Sequence, residues 1–139
     1  MNKKSMMKTA LIVLPLLVVF VASGPSGVIV FDGQDTSYYS WYQMVSGSSV
    51  GWCAPAAAML NYISFVLAVI YCLRKKEWSI KTVFVVSMAA ACFAALPVVV
   101  QSDVKVVPNV MGMIFLGAHA MVAYMERKAI EAEEAKKLK

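Results

Sequence analysis

Charge is scarce in this chain, and scarcest where chemistry would need it. Only 15% of the 139 residues are Asp, Glu, Lys or Arg, against about 25% in an ordinary soluble domain. No acidic or basic side chain interrupts Trp52 to Leu73, Thr82 to Val100 or Val106 to Met125. Proton-coupled pumps and cation exporters depend on carboxylates inside such runs, so proton-driven export is disfavoured. Histidine is present once, as His119, and a lone histidine makes no metal site.

Cysteine is also sparse. The three thiols, Cys53, Cys72 and Cys92, include no C-x-x-C pair. On one intact helix, Cys53 and Cys72 would stand about 28 Å apart, beyond the roughly 7 Å that a disulfide spans. An internal bridge between them is excluded, which argues against quinone-linked thiol oxidation. Cys53 remains placed to link two copies of the chain in an oxidising exterior. Phosphate-binding glycine loops, zinc-type spacings, paired carboxylates and internal repeats are missing as well. The expectation is a chain with no cofactor, no metal and no catalytic residue, hence not an enzyme.

What is abundant is apolar sequence. Hydrophobic residues make up 60% of the chain, and the mean hydropathy is +0.69. A bilayer core of about 30 Å needs roughly 20 apolar residues as helix. Three runs qualify directly, at about 52–73, 82–100 and 106–125. A first span at about 8–31 is less regular: Pro15 lies inside it, and Gly24-Pro25-Ser26-Gly27 breaks it. Two readings compete there. One is an uncleaved anchor, which is preferred. The other is a signal peptide over residues 1–23, with a basic start, an apolar middle and small residues Ala22-Ser23 near a cleavage point.

The basic residues then sort by side. With the first polar break placed outside, Lys105 is the only outer one. The other 12, Lys3, Lys4, Lys8, Arg74, Lys75, Lys76, Lys81, Arg127, Lys128, Lys136, Lys137 and Lys139, fall inside. That is the positive-inside pattern, with both termini in the cytoplasm. Orientation explains the net charge of +5 better than nucleic-acid binding does. The expected fold is an all-α membrane bundle of four helices, or three if the first segment is removed. Residues 1–125 form the membrane domain and residues 126–139 a charged cytoplasmic helical tail. The simple loops fit a bacterial plasma membrane, and the ten methionines need only a packing role.

The outer loop, 32–51, carries Tyr38, Tyr39, Trp41 and Tyr42. Such rings favour the headgroup level, so a short interfacial helix or turn is expected, with an outward recognition surface as the functional reading. The second outer loop, Gln101 to Lys105, reads as a turn. Within the spans, Ser64, Ser87 and His119 come to about the same depth, roughly 20 Å below the outer surface for His119. Asn61 sits one turn from Ser64. Small residues at helical spacing around them, such as Ala57, Ala68 and Ala91, let helices approach closely. These four polar residues are a candidate intramembrane cluster, with interhelical hydrogen bonding as the plain reading and the lining of a solute path as the functional one.

The layout of inner termini, a longer first outer loop and a tiny second one is similar to that of tetraspan proteins such as claudins. The claudin outer-loop motif, a tryptophan followed by two spaced cysteines, is absent, and no function is taken from the likeness. The leading expectation is a small multi-pass accessory or interaction protein of the cell membrane, either a homo-oligomer or a subunit of a larger complex. The alternative is a transporter or channel component for a neutral or apolar solute.

Overall fold

The computed structural model describes residues 3–74, 77–100 and 104–137. Lys75 and Lys76 of the basic break, residues 101–103 of the second outer loop and the last two residues of the tail lie outside that set. The chain is mostly helical. It runs α1 (Lys3–Ser23), β1 (Val28–Asp32), β2 (Asp35–Tyr39), α2 (Cys53–Arg74), α3 (Glu77–Val99), β3 (Val104–Pro108) and α4 (Val110–Lys137).

The all-α expectation needs correction, because a small antiparallel sheet of order β2-β1-β3 caps one end of the bundle. Gly24 and Pro25 end α1, and the β-branched run from Val28 to Val30 then favours extended backbone. The hairpin turns through Gly33 and Gln34, with Gly33 at φ 61°, between the paired residues Asp32 and Asp35. Thus Val28–Phe31 is not the end of a membrane helix.

Nor does the fourth helix begin at 106. Val104 to Pro108 pairs with β1, Val28 facing Pro108 and Asp32 facing Val104. Proline is tolerated there because β3 is an edge strand. Asn109 extends the register by donating its N–H to the Gly27 carbonyl at 2.7 Å. Its side-chain oxygen accepts the N–H of Met111 at 2.9 Å, an N-cap that starts α4 at Val110.

α1, α2 and α3 contain stretches long and apolar enough to cross a membrane: Ser5–Ser23, Cys53–Arg74 and Glu77–Val99. Only 22%, 33% and 28% of their most apolar windows is buried within the molecule. Small residues such as Ala57, Ala68, Ala90 and Ala94 face inward, while Phe20, Val66, Val85 and Met121 face outward. Large apolar side chains on the outside need a surrounding other than water.

The interior divides in two. The core nearer the sheet gathers Val18, Ala22, Val28, Trp41, Ala57, Ala94 and Leu116 among others. The core at the opposite end holds Leu11, Ala68, Tyr71, Ile80, Val83 and Ala123.

Candidate functional site

Polar residues occupy the level between the two cores. Each helix supplies its share between one residue of each core. Pro15 lies between Leu11 and Val18, Asn61 and Ser64 between Ala58 and Ala68, Ser87 between Val83 and Ala90, and His119 between Leu116 and Ala123. Asn61, Ser64, Ser87 and His119 are all buried.

Their hydrogen bonds separate them into pairs. Asn61 Nδ2 donates to the Pro15 carbonyl at 3.1 Å, joining α2 to α1. Ser64 Oγ and His119 Nδ1 share a bond of 3.4 Å, joining α2 to α4; which atom donates depends on the tautomer. Proline has no N–H for the carbonyl four residues back, that of Leu11. Ser87 is turned inward along its own helix, donating to Val83 O at 2.6 Å. Among the described residues, Asn61 Oδ1 and His119 Nε2 have no hydrogen-bond partner. The layer can pin three helices in register. It holds no carboxylate among the described residues to orient the imidazole for base catalysis.

At the sheet end, Trp41 departs from the outer-face role expected of it: it is fully buried. Its backbone N–H reaches the Ala22 carbonyl at 3.0 Å and its indole Nε1 donates to the Gly27 carbonyl at 2.6 Å. The ring fills the space over Gly112, where an added Cβ would stand 2.6 Å from Cζ2. Trp41 therefore plugs the bundle beneath the sheet. Tyr39 packs against the same core, and Tyr42 donates to the Tyr62 hydroxyl at 3.3 Å. Of the four aromatic residues, Tyr38 is the most outward, 61% exposed. Cys53 is fully buried too, which removes it as a link between copies. All three cysteines are free thiols.

The opposite end holds a feature that hydropathy hides. Glu126, one residue past the last apolar run, is only 5% exposed. Its Oε1 accepts the Tyr71 hydroxyl at 2.6 Å, tying α4 to α2. The pair lines a cleft of about 360 Å³ that also includes Lys8, Glu77, Glu133 and Lys137. Beyond it, α4 continues as a charged helix with an Arg127–Glu131 pair at 2.8 Å. Reading spans by their lack of charge places the boundary at Met125 and leaves Glu126 in solvent. The clue available was Tyr71, a hydroxyl near the end of an apolar helix that needs a partner when buried.

Fold and site together define a helical protein with apolar outer faces, a polar mid-layer and a sheet cap. No protein-family model, no curated protein and no solved structure matches the chain.

Proposed function

We propose that this is an integral membrane accessory protein that docks a partner outside the bilayer through the open edge of β2. In this reading α1, α2 and α3 cross the membrane by their long apolar stretches, and α4 returns beside them by its shorter apolar segment, Val110 to Met125. Both termini and the basic clusters lie in the cytoplasm, in accord with the charge distribution. A bacterial plasma membrane suits this topology. The packing of Leu11, Val18 and Ala22 into the cores supports an α1 that is retained as an anchor.

The observation that carries the reading is the contrast within the sheet. β1 is covered on both edges, whereas β2 pairs with β1 alone and is exposed over its first four residues. The two-residue loop makes Asp32 and Asp35 the closing hydrogen-bonded pair, so alternation points the N–H groups of Thr36 and Tyr38 toward the open edge. An exposed edge of this kind accepts an extended segment from another protein by strand addition. Just after β2, the buried Trp41 anchors the chain through its bonds to the Ala22 and Gly27 carbonyls.

The test is photo-crosslinking in native membranes from a benzoylphenylalanine at position 38. The expected result is one discrete protein adduct, absent from the same probe at lipid-facing position 85. Thr36→Pro removes an outward N–H while sparing the β1 ladder, and should abolish the adduct. Adducts with lipid alone would overturn the proposal.

A further inference from the structure

We propose that the cytoplasmic cleft at Tyr71 and Glu126 is a binding site for a phospholipid whose headgroup carries a primary ammonium, such as phosphatidylethanolamine. The proposal rests on the membrane reading above but not on the strand-edge partner.

Three observations converge. The first is position: the cleft opens where the apolar stretches of α1, α2 and α4 end, which is headgroup depth. The second is charge of both signs. Glu77, Glu126 and Glu133 line the cleft together with Lys8 and Lys137. A purely anionic headgroup would meet three carboxylates, and a purely cationic ligand two ammonium groups. A zwitterion can offer its ammonium to Glu126 and its phosphate to Lys8.

The third is continuity. Lys8 also borders a second cavity of about 330 Å³ between α1 and α2, lined by Thr9, Ile12, Val13 and Cys72. That furrow is mostly apolar and open to the lipid side, and suits an acyl chain. Lys8 stands between the two cavities, half-buried and in no ion pair among the described residues. The lipid phosphate, which joins headgroup to acyl chains, belongs beside it.

Glu126 supplies the discrimination. Among the described residues its carboxylate takes one hydrogen bond, from Tyr71, and a carboxylate has about four acceptor sites. A primary ammonium brings three N–H donors to fill the remainder. A quaternary choline brings none and favours an aromatic cage instead. Tyr71 meets the carboxylate through its hydroxyl, which does not make such a cage.

The experiment is native mass spectrometry of the full chain released from nanodiscs with equal phosphatidylethanolamine, phosphatidylcholine and phosphatidylglycerol. The expected result is one retained phosphatidylethanolamine per protomer, favoured about tenfold or more over the other two, the scale of a charge-assisted hydrogen bond. Glu126→Gln should erase the preference for ethanolamine over choline. Lys8→Gln should weaken retention of all three lipids. Free phosphoethanolamine should not displace the lipid, because it lacks the acyl chain.

Equal retention of ethanolamine and choline lipids by the wild-type chain would overturn the assignment without reference to any variant. Displacement by free phosphoethanolamine would overturn the lipid as the source. Carbonate extraction, run alongside, tests the membrane reading separately: protein that remains in the membrane pellet but shows no lipid preference refutes the site alone.

Discussion

The indole of Trp41 occupies the volume that a side chain at Gly112 would need. A Cβ on Gly112 would lie 2.6 Å from ring atom Cζ2, closer than real Cβ contacts approach. A second glycine completes the clasp: Gly27 accepts the indole N–H at 2.6 Å, and a Cβ there would meet Cδ1 at 2.9 Å. The tryptophan thus joins the outer loop, the α1–β1 connection and the first turns of α4.

Gly112→Ala should therefore destabilise the protein by about 1–3 kcal/mol, the usual cost of overpacking, despite the gain in helix propensity. Gly117→Ala is the matched control. Nothing lies within 4 Å of its added Cβ, so propensity alone should act and stabilise by up to about 1 kcal/mol. Thermal unfolding in detergent, followed by tryptophan fluorescence, measures both. Equal responses at the two glycines would contradict the plug.

The polar mid-layer makes a second prediction. Ser64 and His119 are the bonded pair that bridges α2 and α4. A double-mutant cycle of Ser64→Ala with His119→Phe should give a coupling energy of about 0.6 kcal/mol, with an upper bound near 1.7. The corresponding cycle with Ser87→Ala should give none, because Ser87 bonds within α3. Coupling of His119 to Ser87 but not to Ser64 would rule out this arrangement.

Removing the Tyr71 hydroxyl leaves the Glu126 carboxyl buried without its donor. Tyr71→Phe should cost about 1–3 kcal/mol and free the charged part of α4 from α2. Protease accessibility after Met125, together with the melting temperature, reads out both effects. An unchanged melt would mean that the 2.6 Å contact contributes nothing in solution.

Two carboxyls on the tail should titrate in opposite directions. A hydrogen bond and the charge of Glu77 raise Glu134 above its ordinary value of 4.5. That contact stabilises the docked tail below 4.5, and its contribution is lost as pH rises through the folded value. The Arg127 guanidinium, hydrogen-bonded to Glu131, holds that carboxyl below 4.5. This contribution is present above 4.5 and is lost as pH falls through the folded value. Carbon-13 NMR titration of the Glu carboxyls should show the two midpoints on opposite sides of 4.5, and Glu77→Gln should lower that of Glu134. Coincident midpoints would exclude the Glu77–Glu134 contact.

Long apolar runs were enough to read the helical architecture of α1, α2 and α3, since lipid-compatible helices satisfy their own backbone. The nearness in depth of Ser64 and His119, which share a hydrogen bond, follows from the constant rise per residue of a helix. Three features were not. β3 reads as the start of an apolar helix, since Val104 to Pro108 becomes a strand only by pairing with β1, more than seventy residues away. Trp41 reads as one ring of an interfacial belt, and only the bare backbones of Gly27 and Gly112 create its pocket. Glu126 reads as solvent-exposed because a charge ends an apolar run, yet the Tyr71 hydroxyl across the bundle makes its burial tolerable. Local composition determined that four segments of the chain are largely helical. Pairing between distant segments decided the sheet, the plug and the cleft, because each depends on a partner that no local window contains.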